Sequence, residues 1–247
     1  MADAGGQSLW LLNAQTKQFR KLRSANHQRL ISPVAVAIGP QQRVYLVDSY
    51  LRELFIYDRE QNLVGVISVP NLQRPAGLAY DNRRNRLYVA DSAAHRIWTF
   101  TGDGKPSEAI GRRGTGDGEF NFPTHLAVDG NGNLYVTDAL NFRLQMFNSD
   151  GSFIGKFGRH GDSSGDFASP KGVAVDSEGH IYIVDALFDA VQIFDRAGQY
   201  LLTFGERGTG PGQFWLPNGI FIDDRDQIYV ADAYNQRVQI FQYLKAL

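Results

Sequence analysis

The chain has no cysteine at any of its 247 positions. That excludes a disulfide scaffold, a thiolate metal site and a cysteine nucleophile. No apolar run approaches the roughly 18 residues that a membrane-spanning helix needs, so membrane insertion is not expected. An excess of either charge is also missing. With 25 basic and 26 acidic residues the formal net charge is -1, which gives no global field for nucleic acid or an anionic membrane. The opening Met1-Ala2-Asp3-Ala4-Gly5-Gly6 has neither the basic nor the apolar segment of a secretory signal, so the sequence assigns no compartment. Helical periodicity is absent throughout.

One short phrase recurs instead: an apolar or small residue, then Asp, then a small residue. It appears at Asp3, Asp48, Asp91, Asp138, Asp185 and Asp232, with spacings of 45, 43, 47, 47 and 47. A fixed period of this length marks a repeat architecture. The clearest copy runs from Phe120 to Asp166. Leu126-Ala127-Val128 reads as a first strand, and Asp129-Gly130-Asn131-Gly132-Asn133 as a turn. Leu134 to Thr137 is β-branched and aromatic, a second strand. Arg143 to Phe147 alternates with period two, a third, and Ser152 to Phe157 is a fourth. Four short antiparallel strands in about 45 residues form the blade of a β-propeller. A proline begins each repeat at Pro33, Pro75, Pro123, Pro170 and Pro217. The Gly-His and Trp-Asp signatures of WD40 repeats are missing.

The phrases Pro170-Lys171-Gly172-Val173-Ala174-Val175-Asp176, Ile228-Tyr229-Val230-Ala231-Asp232 and Asn235-Gln236-Arg237-Val238-Gln239-Ile240-Phe241 resemble the NHL-repeat family over essentially the whole chain. Phe120-Asn121-Phe122-Pro123-Thr124-His125-Leu126 and Phe214-Trp215-Leu216-Pro217 are similar to a bacterial group of six-bladed NHL propellers. That resemblance implies an all-β propeller with six blades, in a group often exported and without an established activity.

The register gives one domain over 1–247, with repeats at about 1–29 (partial), 30–71, 72–119, 120–166, 167–213 and 214–247. The first copy aligns only from the end of its second strand, and the last ends after its third. Two strands, four repeats of four and a final three are expected, as in a six-repeat protein short of its N-terminal portion. The alternative is a five-bladed ring in which Gln18–Leu22 lies beside Val238–Phe241.

Function is expected at the loops. The turns after the second strands carry Leu140, Phe142, Leu187, Phe188 and Tyr234, and the Gly-rich loops between repeats carry Arg159. Apolar side chains in turns ringed by arginine are the composition of a binding surface, with Arg143 and Arg159 as rim contacts. The expected partner is a protein or peptide. Strand addition at incomplete sheet edges is a further possibility. The six Asp residues read as blade architecture, each accepting backbone N–H groups of the turn that follows. Arg96, Arg143 and Arg237, five residues later, fit the same architecture.

Several patterns carry no catalytic reading. Gly161-Asp162-Ser163-Ser164-Gly165 matches G-x-S-x-G, but no helix follows to form a nucleophile elbow. Asp129-x-Asn131-x-Asn133 opens like a calcium loop but has Leu134 and Leu140 where Gly and Glu are required. His125, two residues after a repeat-opening proline, is placed by the propeller reading at the mouth of a central channel. Peptide-amidating lyases of similar fold hold zinc there through three histidines. One His and no Cys do not make such a site, so no metal or cofactor is expected. Some NHL propellers bind RNA on a basic face. Here Asp117, Asp162, Asp166 and Glu206 dilute the arginines, which disfavours nucleic acid. The chain is thus expected not to be an enzyme; a metal-dependent lyase or lactonase is the alternative.

Overall fold

A computed structural model describes residues 1–12, 18–25, 28–69 and 71–244. These form two compact units, Met1–Arg113 and Gly114–Leu247. Among the described residues regular structure is β throughout, apart from two three-residue turns of 3-10 helix at Pro40–Gln42 and Ala139–Asn141.

In the first unit, β1 (Ala2–Asp3), β2 (Ser8–Leu12) and β3 (Phe19–Leu22) make a three-stranded sheet. A short ladder joins β4 (Ser24–Ala25) to β5 (Gln28–Arg29). Next come four strands in sequence order, β6 (Pro33–Ile38), β7 (Val44–Asp48), β8 (Glu53–Tyr57) and β9 (Leu63–Ser68). The last sheet holds β10 (Pro75–Asp81), β11 (Arg86–Asp91) and β12 (Arg96–Thr101). The expected fourth strand of this repeat does not form. Only isolated bridges, Ile97 with Ile110 and Phe100 with Pro106, follow β12. Pro106 has no N–H to give, which interrupts a ladder.

The second unit has two four-stranded sheets and one of three. They are β13 (Pro123–Val128), β14 (Leu134–Asp138), β15 (Arg143–Phe147) and β16 (Phe153–Phe157); β17 (Pro170–Val175), β18 (Ile181–Asp185), β19 (Ala190–Phe194) and β20 (Tyr200–Phe204); and β21 (Gly219–Ile222), β22 (Gln227–Asp232) and β23 (Arg237–Gln242). The first sheet holds three strands, one more than expected, because Ala2 and Asp3 pair with Leu9 and Ser8. β3 pairs with β2, and β23 with β22.

Packing follows from alternation along the middle strands. In β18, Ile181 and Ile183 face Tyr135, Leu144 and Met146 of the sheet before. Tyr182 and Val184 face Ile228 and Val230 of the sheet after. A strand covered on both sides needs apolar residues at every position, which is why β7, β14 and β18 read as continuous apolar runs. Burying one such side chain contributes roughly 1.5–3 kcal/mol.

The inner strands of the second unit come very close. Gly172 N–H donates to Asn218 O at 2.9 Å, and a Cβ on Gly172 would lie 2.7 Å from Ile220 N and 2.9 Å from Asn218 O. Those obstacles are backbone and cannot rotate away. Gly172→Ala is therefore expected to cost about 1–3 kcal/mol in urea unfolding. Gly219→Ala is the control. Its Cβ would meet only the Ala231 Cβ at an ordinary 3.6 Å, and it should leave the midpoint nearly unchanged.

Candidate functional site

The loops are built outward from the repeated aspartate. Asp48 accepts N–H bonds from Tyr50 and Leu51 in the following turn, as the sequence suggests, but also from Ile31 and Ser32, which lead into β6. Asp185 repeats this with Leu187 and Phe188 on one side and Ala168 and Ser169 on the other. Each carboxylate thus ties the turn after the second strand to the segment that opens its repeat. Both are fully buried, so each lost acceptor would leave backbone donors unsatisfied.

In two repeats an arginine extends the tie. Arg143 Nε donates to Asp138 Oδ2 at 2.8 Å. Its two terminal nitrogens reach the carbonyls of Thr115, Gly116 and Glu119 at 2.7–2.8 Å. Arg237 does the same with Asp232 and the carbonyls of Thr209, Gly210 and Gln213. Arg143 is only 7% exposed. Its expected role as a rim contact is therefore corrected: its planar fork of donors is spent inside the loop. Arg96 departs from the pattern too. It lies over the Trp98 ring, and the Trp98 indole N–H takes the bond to Asp91. Burial pushes the Asp138 carboxyl upward against the bonds from Asn121, Asn141 and Arg143. At Asp232 burial also pushes up, but the bonds from Trp215, Asn235 and Arg237 outweigh it and hold the carboxyl low.

What these ties present is apolar. Leu140, Leu187 and Tyr234 each stand two residues after the repeated Asp, and all three are exposed. Tyr50 holds the same position in the first unit and is exposed as well. Phe142 and Phe188 are half-buried. Phe142 has a φ of 52°, unusual for a bulky residue. Arg52, His95, Asp189 and Gln236 share that conformation at the same repeat position, so it belongs to the turn. The Phe142 ring packs against the edge of His160, with centroids 4.4 Å apart. Together with Leu140, Lys156 and Arg159 they line an open groove of about 540 Å³. Arg159 bonds Asp166 at 2.7 Å and holds that carboxyl below its ordinary value. Lys156 meets Asp117 at 2.5 Å. Two repeats on, Tyr234 stacks on Trp215 at 4.0 Å, and Arg207 covers the same ring at 5.3 Å. The sequence reading missed this stack. Alignment of Arg207 with His160, each placed against an aromatic ring, is the signal that finds it.

His125 sits in β13 where the ladder to β14 shifts between Pro123 and Leu126. Its Nδ1 is buried without a hydrogen-bond partner, as is Thr124 Oγ1 beside it. Burial, with a smaller push from the charge of Lys171, lowers the imidazole from 6.5 to about 4. Among the described residues no three His, Asp or Glu side chains converge as a metal ion requires. The calcium-like run is an Asx turn: Asp129 Oδ1 accepts the N–H groups of Asn131 and Asn133. Ser163 of the G-x-S-x-G run lies in a turn closed by Asp166.

Residues 72–100 match the NHL repeat, and residues 130–192 and 178–244 match a family described as a 6-bladed beta-propeller. The repeat at residues 72–100 is thus of NHL type, within a β-propeller fold. NHL repeat-containing protein 2 of Bos taurus is 41% identical over 71 residues, which is 25% of this chain and 10% of that protein. The chain therefore spans about a tenth of that relative's length. Among solved structures, virginiamycin B lyase of Staphylococcus aureus bound to quinupristin superposes with a TM-score of 0.68 at 12% identity, over 97% of this chain and 78% of that one. A protein of unknown function from Bacteroides caccae gives 0.66 at 12%, over 93% and 80%. Hydrazine synthase of Kuenenia stuttgartiensis gives 0.66 at 12%, over 97% and 90%. At such identity the likeness shows the propeller fold alone.

The two arginine ties differ in depth: the Arg143 side chain is 8% exposed and that of Arg237 31%. Arg143→Ala strands a buried carboxylate and three carbonyls and is expected to cost about 3–5 kcal/mol. Arg237→Ala, where water can enter, should cost about 1–3 kcal/mol. Chemical denaturation of both variants checks the order.

His125 supplies a pH dependence. Its folded value lies below the unfolded one, so the unfolded chain takes up the proton first as pH falls. Its contribution is intact above about 6.5 and is lost as pH falls toward about 4. Replacing it by Gln should remove about 2 kcal/mol of acid destabilisation across that window. Unfolding curves at the two ends of the window, for wild type and His125→Gln, measure it.

Proposed function

We propose that the chain is a non-enzymatic scaffold that binds a protein or peptide through the loop ends of its sheets. The observation that carries this reading is the repeated exposure of a large apolar side chain two residues after a buried, fully bonded aspartate, at Leu140, Leu187 and Tyr234. Such positions are held still by the ties beneath them, so little ordering entropy is lost when a partner covers them. Leu140 adjoins the ring pair of His160 and Phe142, and Tyr234 the Trp215 ring under Arg207, and aromatic and arginine anchors dominate interface energies. Phe142 and Phe188 support the surface from below, and Arg159 supplies its exposed charge.

The rival reading is a metal-dependent lyase or lactonase centred on the inner strands, where His125 is the residue with an orphaned ring nitrogen. RNA binding on the arginine-bearing loops is a third. Stoichiometric zinc or calcium held by the purified protein would move the assignment to the first rival. Capture of RNA from the native source would move it to the second.

The direct test replaces the exposed anchors together, as Leu140→Asp, Leu187→Asp and Tyr234→Asp. All three project into solvent, so the melting temperature should change little. Affinity capture from the native source should lose its specific protein partner with the triple variant. Recovery of the same partner by wild type and folded variant alike would sink the proposal.

A further inference from the structure

Every ionisable side chain that lines the groove beside Phe142 is basic: Arg143, Lys156, Arg159 and His160. Among the described residues no carboxylate lines it, and the groove lies wholly within the second unit. Two of these side chains are already engaged. Arg143 spends its fork on loop carbonyls, and Lys156 is paired with Asp117.

Arg159 differs. Its Nε–H donates to Asp166 Oδ1 at 2.7 Å, as Nε–H of Arg143 and Arg237 donates to Asp138 and Asp232. In those two arginines the terminal nitrogens are then filled by three carbonyls. The terminal nitrogens of Arg159 meet no acceptor among the described residues, and the side chain is 79% exposed. Asp166 therefore aims the guanidinium without using the edge that matches a carboxylate. The next loop has Glu206 after Gly205, where this loop has Arg159 after Gly158, and Gln213 donates to that Glu206 carboxylate at 3.0 Å. The free edge is thus not a general feature of the repeat.

Beside this edge the groove is apolar and aromatic. Leu140 is 51% exposed, and the exposed His160 ring packs on Phe142. Exposed rings and an aliphatic side chain of this kind favour an aromatic guest. Nucleic acid fits less well, because its affinity comes from several phosphate contacts together and only one guanidinium here is open.

We propose that this groove takes a peptide segment in which an aromatic residue neighbours an Asp or Glu, the ring resting on Leu140 and Phe142 and the carboxylate on the terminal nitrogens of Arg159. The proposal rests on the loop-binding reading and gives its partner a chemistry.

Selection from a random phage-displayed peptide library on the immobilised full chain tests it. Peptides joined to the coat protein by their C-termini carry no free terminal carboxylate, so acidic enrichment reports a side chain. Wild type should enrich Asp or Glu beside Phe, Tyr or Trp. Arg159→Gln should lose the acidic preference and keep the aromatic one, and Arg159→Glu should select Lys or Arg instead. Gln192 holds this loop separately through Gly165 N–H and Asp166 O, so both variants should keep the wild-type circular dichroism and melting temperature. A synthetic peptide of the enriched sequence should bind Arg159→Gln about 10- to 100-fold more weakly by fluorescence anisotropy. If these variants do not fold, Arg159→Lys keeps the charge without the fork and should still bind more weakly; equal binding overturns the proposal. So does acidic enrichment that persists in Arg159→Gln, or oligouridine binding with the same dependence on Arg159, which would assign the groove to RNA. Aromatic enrichment without acids overturns it as well, but if Leu140→Asp abolishes that enrichment the loop-binding reading stands. No enrichment at all overturns the proposal, and affinity capture with the triple variant then judges the loop reading by itself.

Discussion

A buried aspartate at the end of the second strand, at Asp48, Asp91, Asp138, Asp185 and Asp232, is the constraint on which these repeats depend. A strand end exposes N–H groups that no ladder satisfies, and a tight turn adds more. One carboxylate has enough lone pairs to accept several of them. At Asp48 and Asp185 those donors come from two places distant in sequence, the turn that follows and the segment that opens the same repeat. The residue therefore fixes the start of a repeat relative to its middle. A short apolar blade could otherwise slip, because a two-residue register shift preserves which side chains face the core. Replacing the carboxylate would free its donors in a place that water does not reach.

The regularity of this device made the fold legible. The spacing of the Asp phrase, the turn residues and the apolar runs of the second strands mark out six repeats. The errors have local causes. Pro106 stops the fourth strand of the third repeat, although the surrounding sequence still has the length of a full repeat. Arg143 reads as an exposed cation because arginine usually is one, and only the loop carbonyls around it reveal the buried fork. Part of the bonding of Asp48, Asp91, Asp138, Asp185 and Asp232 was also hidden, since it reaches back some 16 to 18 residues to a segment with no signature of its own. The candidate anchors were legible as apolar residues in turns. Their division into exposed Leu140, Leu187 and Tyr234 and half-buried Phe142 and Phe188 was not, because the turn's left-handed residue decides which side chain projects.

The surface that results joins a fixed frame to variable tips. The positions that carry the ties are Asp, Arg, Asn and Gln at constant offsets, with Asn141, Arg143 and Gln145 reappearing as Asn235, Arg237 and Gln239. The position between Asp and Asn faces solvent and contributes no tie through its side chain, so Leu, Tyr or Ala there leaves the frame intact. Recognition is thereby separated from stability, and substitution at a tip changes what the surface offers without loosening the turn beneath it. This is the arrangement by which loops on rigid scaffolds acquire binding roles.

The fifth repeat departs from the frame in an instructive way. Ala190 and Phe188 stand where the fourth and sixth repeats place the tying Arg and Asn. The Gly-rich loop before β17 keeps its bonds to Gln192 through Gly165 N–H and Asp166 O. In place of an arginine inserted from the sheet, it has a bridge of its own, Arg159 with Asp166, in which the guanidinium is 79% exposed. An exposed pair of this kind contributes at most about 1 kcal/mol, against the several hydrogen bonds that hold the neighbouring loops. The least constrained of the three Gly-rich loops is thus the one that carries Arg159 and His160 into the groove beside Phe142. A partner that drew Arg159 away from Asp166 would meet little resistance there, whereas the same demand on Arg143 would dismantle its turn. Adaptability at this surface is set by which repeat has lost its arginine.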